Sequence, residues 1–552
     1  MTLRVLNTLS GEREPFEPAD PDDVLLYYCG LTVSDDAHLG HARSWVHVDV
    51  IHRWLEHLGY GVRHVENITD VNEKIVARVG ERVADGAGGG AGEPVEDGAD
   101  GGASEPVEDG ADGGASEPVE DGDAERSGDD GSADDGAVLG SSEPEVARRF
   151  IARLLADMRS LNLLRAEVYP RVTEHVPEII DLIERLVEQG YAYESDGSVY
   201  FDVTTFPAYG KLSNQRLEDI EAQGEEAERA EKRHPADFAL WKAGGVSPTA
   251  VAEHRHADRE YAVHEPTGET WDSPWGEGRP GWHVECSAMS MTHLDESIDV
   301  HMGGRDLVFP HHENEIAQSE AATGRQFARY WLHADLLQVR DEKMSSSLGN
   351  FIPVREAVER FGVNPLRMFF LSASYNSTQT YSDAAVEEAI ERWERLQTAH
   401  RRVSEAADGP DAATKVESDL RSTVEEVRER FTDAMNDDFN TREALAALFD
   451  LAAAANRYLD DADRYDYRAL RRTLEAFEDL GEDVLGFDFA APTGGHGGGD
   501  VRLAGELVEL VLEVREAERE AGNYERADEL RADLEALGVE VQDTDEGPTY
   551  RL

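Results

Sequence analysis

Apolar residues near the start of the chain alternate between short continuous runs and helical spacing, which predicts a βαβ unit. Val24–Tyr28 is a short apolar run typical of a buried strand. Gly40–Leu58 carries apolar side chains at helical spacing and ends at Gly59. Val62–Ile68 then has the composition of a second strand. This order predicts two parallel strands joined by a crossover helix.

The remaining apolar pattern predicts an α/β front half and a helical back half. Pro177–Gln189 is amphipathic and ends at Gly190, which predicts a helix, and Ser198–Val203 resembles a strand. From residues 383 to 480, and again from 503 to 537, apolar residues recur at helical spacing between charged ones.

Residues 81–145 differ from the rest of the chain in composition. The unit Glu-Pro-Val-Glu-Asp-Gly begins at Glu93, Glu105 and Glu117, and no aromatic residue occurs in the segment. Such a segment buries too little apolar surface to offset its ordering entropy, so we predict a disordered insertion. An acidic interaction tail is the alternative. A second polar stretch, residues 244–269, is predicted to be another insertion.

The net charge is better explained by the salt concentration in which the protein works than by the ligand it binds. Lys and Arg total 53 against 116 Asp and Glu, which gives a formal charge of −63. This excess argues against nucleic acid as a partner unless it reflects adaptation to high salt. At molar ionic strength the Debye length falls to about 3 Å, so self-repulsion is screened. Because lysine is scarce as well, we favour a halophilic source.

Other features predict a soluble cytoplasmic protein. The two cysteines exclude a disulfide framework and suggest a reducing compartment. No apolar run approaches the roughly 18 residues of a membrane span, and we expect no membrane partner. The N-terminal residues lack the apolar core of a signal peptide.

Two short motifs have the chemistry of a nucleotide site. His38-Leu39-Gly40-His41 opens the first helix just after a strand, where the helix dipole favours an anion. Lys343-Met344-Ser345-Ser346-Ser347 suits a mobile loop that closes on a triphosphate. Each motif alone is more often an ordinary surface segment. In this order, the two resemble the signature pair of class I aminoacyl-tRNA synthetases.

The residue types and their spacing are also compatible with a metal site. Cys29 and Cys286 are the only cysteines, and both lie in segments rich in motifs. His311 and Glu315 are four residues apart, so on a helix they would share one face. Two thiolates, an imidazole and a carboxylate make a plausible zinc set. The alternative is a pair of inert buried cysteines beside a polar helix start.

Most of the chain resembles the cysteinyl-tRNA synthetase family. Outside the two insertions, the shared motifs are Tyr28-Cys29-Gly30, Asn67-Ile68-Thr69-Asp70, Tyr209–Ser213, Asp237–Lys242, Trp271–Gly276, Pro280–Met289, Phe309–Glu315, Asn436–Thr441 and Tyr524–Asp528. The resemblance implies that one Zn²⁺ per subunit is bound by Cys29, Cys286, His311 and Glu315.

The resemblance implies further site residues. Catalytic roles fall on His38, His41 and Lys343. ATP, accompanied by Mg²⁺, would be bound by His38, Gly40, His41, Gly303, Gly304, Asp306, Lys343 and Ser346. Cysteine would be bound by Gly30, Thr69, Trp282, His283 and Asp306. The implied partners are L-cysteine, ATP and tRNA(Cys), and the implied oligomeric state is a monomer.

The implied reaction joins cysteine to its tRNA in two steps through cysteinyl-adenylate. A soft thiolate is a better zinc ligand than a hydroxyl, so the metal would select cysteine over serine. Four protein ligands resemble a closed structural site. We therefore expect the substrate sulfur to add as a fifth ligand or to displace a weak one, with Glu315 the first candidate.

Two other functions are compatible with parts of the sequence. A ligase that joins cysteine to an amino sugar resembles the same catalytic core, but it would lack residues 383–552. A catalytically silent paralogue is the second alternative, since Ser346 stands where the family usually has lysine. The usual Asp-Ile-Asp-Asp-Lys is Asp70–Lys74 here, reading Asp-Val-Asn-Glu-Lys, and Met302 replaces a glycine.

The predicted fold is an α/β Rossmann-type nucleotide-binding core with an inserted connective domain, followed by an all-α helical bundle and a small C-terminal helical domain. The predicted divisions are 1–80 for the first half of the core, 81–145 for the acidic insertion, 146–270 for the connective region, 271–372 for the second half of the core with the serine-rich loop, 373–490 for the tRNA-binding bundle, 491–500 for a Gly-rich linker and 501–552 for the anticodon-side domain.

Overall fold

A four-stranded parallel sheet forms the centre of the front half. The computed structural model describes residues 2–83, 138–220, 230–257, 259–339, 342–343 and 351–491, with part of 511–551. The strand order is Ala328–Ala334, Ile298–Gly304, Val24–Tyr28 and Val62–Glu66. Residues 84–137 of the predicted insertion 81–145, and residues 492–500 of the predicted linker 491–500, lie outside the described residues.

The predicted βαβ unit is confirmed by this sheet. Strand Val24–Tyr28 pairs in parallel with Val62–Glu66 on one side and with Ile298–Gly304 on the other. The crossover helix runs over Leu39–His57 and buries Trp45 and Trp54 against the main core. The strands Ile298–Gly304 and Ala328–Ala334 were not identified from the sequence.

Further helices cover the sheet and carry parts of the site. In the front half they are Glu73–Ala77, Glu143–Ser160, Trp282–His293, Glu313–Thr323, Val354–Phe361 and Val363–Leu371, with short turns at Val172–Glu174, Val203–Thr205, Leu217–Asp219, Arg305–Leu307 and Val308–His312. Two small sheets complete this half: the hairpin Arg4–Asn7 with Glu12–Pro15, and Glu342–Lys343, Leu337–Val339 and Gln379–Tyr381.

A separate antiparallel sheet lies between the two halves of the parallel core in sequence. Its order is Ala192–Ser195, Ser198–Phe201, Phe238–Ala243 and Gly278–Pro280, with helices Val176–Glu188 and Pro248–His254 beside it. Helix Pro248–His254 packs on helix Glu73–Ala77, so part of the stretch 244–269 belongs to the folded body.

The ends of the acidic insertion lie side by side. Arg82 forms an antiparallel bridge with Val138, and the Leu139 N–H donates to the Glu81 carbonyl at 2.9 Å. The helix that follows already begins at Glu143. Residues 138–145, which were predicted to belong to the disordered insertion, are therefore structured.

Where the structure describes it, the back half is helical, as the sequence predicts, up to a closing hairpin; much of the predicted helical stretch 503–537 lies outside the described residues. The bundle helices are Asp383–Asp408, Leu420–Asn436, Thr441–Asp461 and Tyr467–Phe477, with a wider turn at Glu478–Val484 and a short pairing of Ala412–Ala413 with Tyr465–Asp466. The chain closes with an antiparallel hairpin, Glu540–Thr544 and Gly547–Arg551, which helical spacing did not predict. Among the described helices, none combines the length and apolarity needed to cross a membrane.

Candidate active site and metal centre

The structure brings the four predicted metal ligands together at the carboxyl end of the parallel sheet. Cys29 follows the strand Val24–Tyr28, and Cys286 lies on helix Trp282–His293. His311 lies in the turn Val308–His312, which leads into the helix carrying Glu315. One donor atom from each residue lies within 4.8 Å of all the others, and all four side chains are buried.

The distances between donor atoms fit a tetrahedral ion. Cys29 Sγ lies 3.6 Å from Cys286 Sγ and 3.4 Å from His311 Nε2. His311 Nε2 lies 3.3 Å from the Glu315 Oε1 atom. Zinc bonds of about 2.0–2.3 Å place tetrahedral ligand atoms about 3.3–3.8 Å apart. Glu315 Oε1 is buried and accepts no hydrogen bond from the described residues, so an ion would satisfy it.

The protonation states of the cluster favour metal binding. Burial lowers the pKa of His311, so its imidazole stays neutral and can donate a lone pair. The hydrogen bond between the two sulfur atoms lowers the pKa of Cys29, whereas the same contact and burial raise that of Cys286. The arrangement without an ion therefore favours one thiolate beside one thiol.

A second layer of side chains orients the ligands. His301 Nε2 lies 3.0 Å from Glu315 Oε2, and its ring stacks on Trp331 at 4.3 Å. His283 Nδ1 lies 2.9 Å from His311 Nδ1. Such partners fix the orientation of metal ligands. His301 was missed in the sequence, where its only signal is its place on a strand just before Gly303.

Asn67 connects the metal cluster to the predicted cysteine-binding residues. Its Oδ1 accepts hydrogen bonds from Tyr27 Oη at 3.1 Å and from the Gly30 N–H at 2.9 Å. Its Nδ2 donates to Thr69 Oγ1 at 3.1 Å. A Cβ at Gly30 would lie 1.8 Å from the Asn67 carbonyl oxygen, so only glycine fits there. Asn67 lies in the motif Asn67-Ile68-Thr69-Asp70, but no site role was predicted for it from the sequence.

The predicted phosphate-binding residues open the crossover helix. His38 is its N-cap, and its Nδ1 accepts the Gly40 N–H at 3.1 Å. The His38 and His41 rings stack with their centres 3.7 Å apart. Pro353 pairs with His38, so the segment after the serine-rich loop runs beside this helix start. Lys343 lies on the strand entering that loop, and Ser346 is outside the described residues.

The remaining predicted residues lie at the ends of neighbouring elements. Gly303 and Gly304 end the strand Ile298–Gly304, and Asp306 follows in a short turn. A Cβ at Gly303 would approach the His312 ring to 2.7 Å. Trp282 is 38% exposed, and its ring centre lies 4.4 Å from that of His311, so it covers the metal cluster.

Comparison with protein families first defines the class. The model of the class I (C) tRNA synthetase catalytic domain matches residues 15–391. A DALR domain matches residues 430–490, and a cysteinyl-tRNA ligase anticodon binding domain matches 505–551. The chain is therefore a class I tRNA synthetase by both fold and sequence.

The chain is also similar over its full length to individual tRNA ligases. The chain is 60% identical over 554 residues to the cysteine–tRNA ligase of Haloarcula marismortui, with both chains covered in full. It is 55% identical over 552 residues to that of Halobacterium salinarum, again with full coverage of both. The chain belongs to the cysteine–tRNA ligase family. The halophilic relatives agree with the halophilic interpretation of its charge.

Solved structures support the fold. Methionyl-tRNA synthetase from Mycobacterium tuberculosis, solved with methionyl-adenylate, aligns with a TM-score of 0.53 at 16% identity. The alignment covers 84% of this chain and 92% of that one. At this identity the likeness shows the class I architecture alone.

Proposed function

We propose that this chain activates L-cysteine with ATP and transfers it to the 3′ end of tRNA(Cys). The observation that carries the proposal is the buried meeting of Cys29, Cys286, His311 and Glu315, which come from three separate parts of the chain. The donor set is that of a zinc site, and a bound zinc prefers a thiolate to a hydroxyl, so such a site would select a thiol substrate. The membership in the cysteine–tRNA ligase family supports the same substrate.

The four residues would hold one Zn²⁺, which supplies a soft Lewis acid that prefers a thiolate to a hydroxyl. His301 contacts the Glu315 carboxylate, and His283 contacts the His311 ring. These contacts would orient the metal-binding atoms before the substrate binds. Trp282 limits access of water to the cluster.

The reaction proceeds in two steps on the chain's own residues. The cysteine carboxylate attacks the α-phosphate of ATP, and pyrophosphate leaves. Gly40 and the stacked His38 and His41 bind the phosphates at the helix start, with Mg²⁺ accompanying ATP. Lys343 would meet the negative charge of the departing pyrophosphate, and Ser346 would contribute to ATP binding. A ribose hydroxyl of the tRNA then attacks the acyl carbonyl, and AMP leaves.

The other predicted residues position the reactants. Gly303, Gly304 and Asp306 bind the ATP ribose. Gly30, Thr69, Trp282, His283 and Asp306 surround the cysteine. Residues 373–490 and 501–552 would bind the tRNA. A ligase that joins cysteine to an amino sugar would not need these residues. The matches to a DALR domain and to an anticodon binding domain in this region support the tRNA ligase over the amino-sugar ligase. We propose a monomer that acts in the cytoplasm.

Cysteine-dependent exchange of pyrophosphate into ATP, measured at molar KCl, tests the activity. Exchange with cysteine but not serine is expected. Cys286→Ser should abolish exchange and metal binding while ATP binding persists. Absence of exchange by the wild-type chain at any salt concentration would reject the proposal and favour the silent paralogue.

A further inference from the structure

Arg43 is a buried cation that none of the proposed reaction steps uses. It lies on the crossover helix Leu39–His57, two residues after His41, and is 1% exposed. Arginine is almost never fully buried unless its guanidinium is well paired. The partners of this guanidinium therefore show what the start of the helix is held against.

The Arg43 guanidinium donates to four neutral oxygen atoms among the described residues. Its Nη1 donates to the Asp335 carbonyl, and its Nη2 donates to the carbonyls of Ser374 at 2.8 Å and Ser377 at 2.6 Å. Its Nε donates to the side-chain oxygen of Gln379 at 3.0 Å. Because a planar guanidinium donates along fixed directions, these acceptors define one position of the helix relative to them.

Gln379 belongs to the small sheet that also contains Lys343. It pairs with Leu337 of the central strand of that sheet. The next residue of the central strand, Gln338, pairs with Lys343 on its other side. Arg43 therefore connects the start of the crossover helix to the strand that enters the serine-rich loop.

The segment that leaves the serine-rich loop is held by the same helix start through main-chain hydrogen bonds. The Val354 N–H donates to the Ala37 carbonyl at 2.9 Å, and the Leu39 N–H donates to the Ile352 carbonyl at 3.1 Å. These bonds do not involve side chains, whereas the bonds made by Arg43 are lost with its guanidinium. A substitution at Arg43 therefore loosens the entering strand while the exit of the loop stays attached.

We propose that Arg43 is a positioning residue for cysteine activation, which fixes the strand entering the serine-rich loop so that Lys343 meets the charge developing on pyrophosphate. The inference rests on the proposed function, in which Lys343 acts on the departing group. A misplacement of about 1 Å at a reacting group can cost about 100-fold in rate. Since that contact forms as pyrophosphate departs, the loss of Arg43 lowers kcat rather than raising KM.

Arg43→Lys tests this role, because a lysine keeps the charge but cannot donate along the four directions of the guanidinium. We expect kcat for cysteine-dependent pyrophosphate exchange at molar KCl to fall about ten- to 100-fold. KM for ATP and KM for cysteine should stay within about two-fold of wild type. Rates are referred to the concentration of active sites, measured from the burst of adenylate, so that a loss of folded protein does not lower kcat.

A double-mutant cycle with Lys343→Ala separates positioning from a merely structural role. If Arg43 acts through Lys343, Arg43→Lys should slow exchange by less than about two-fold once residue 343 is alanine. Arg367→Lys is the matched control, because Arg367 is also buried and donates to main-chain carbonyls, those of Leu161 and Leu485. It should lower thermal stability without changing kcat per active site in either background.

A milder variant covers the case in which Arg43→Lys does not fold. Gln379→Leu removes one of the four acceptors and should lower kcat about three- to ten-fold, again only while Lys343 is present. Equal slowing in both backgrounds, or an effect of Arg367→Lys of the same size, would overturn the role of Arg43 alone. No exchange by the wild-type chain would overturn the proposed function and this role with it.

Discussion

The buried carboxyl group of Glu66 provides a test of the packing beneath the predicted cysteine-binding residue Gly30. It ends the core strand Val62–Glu66, is 3% exposed and accepts a hydrogen bond from Trp45 Nε1 at 3.0 Å. A Cβ at Gly30 would lie 3.3 Å from its Cγ, so Glu66 packs beneath the predicted cysteine-binding loop. Burial raises the pKa of Glu66 from 4.5 to about 8.

Because the pKa of Glu66 is raised in the folded chain, the free energy of unfolding falls as the pH rises. The folded chain keeps a proton on Glu66 between about pH 4.5 and 8, whereas the unfolded chain releases it. This contribution to stability is fully present below about pH 4.5 and is lost as the pH rises through about 8. Over the whole window the loss is up to about 5 kcal/mol, at about 1.4 kcal/mol per pH unit.

Glu66→Gln removes this pH dependence, because glutamine keeps the acceptor for Trp45 but cannot ionise. We expect the variant to unfold with nearly the wild-type free energy at acid pH and to become progressively more stable than wild type as the pH rises. Denaturant unfolding at molar KCl across the window measures this difference, and Glu194→Gln, on an exposed strand position, is the control. Parallel curves for Glu66→Gln and wild type would refute the reasoning.

Three further changes test other parts of the structure. Arg279→Met should cost about 3–5 kcal/mol, even at molar salt, because it leaves buried Glu143 without the guanidinium that lies 2.7 Å away; thermal unfolding measures this. Gly30→Ala should abolish cysteine activation, since its Cβ would overlap the Asn67 carbonyl; retained exchange would contradict the close packing. Replacing residues 84–137 by a short Gly-Ser linker should keep exchange within about three-fold, because the flanking residues are already paired; a collapse of activity would assign that segment a role.

The sequence was sufficient for the features that depend on local pattern. The strand Val24–Tyr28 and the helix Leu39–His57 follow from apolar spacing, and the structure has them within a few residues of the predicted bounds. The candidate metal ligands could be chosen from the sequence because Cys29 and Cys286 are the only cysteines in the chain. Only the resemblance predicted that they meet in space, since spacing along the chain left a pair of inert buried cysteines as the alternative.

Features that depend on tertiary contacts could not be predicted. The strands Ile298–Gly304 and Ala328–Ala334 are buried on both faces and carry no alternation to distinguish them from helices. The contact between His301 and Glu315 depends on how a strand and a helix align. The bidentate pair of Arg279 with Glu143 joins residues 136 positions apart. No local pattern specifies such a pair.

Metal analysis of the purified protein tests the central claim most directly. The account predicts one zinc per wild-type chain, with a sulfur-containing coordination shell by X-ray absorption, and no zinc in folded Cys286→Ser. A wild-type protein that activates cysteine at full rate after complete removal of zinc would contradict it.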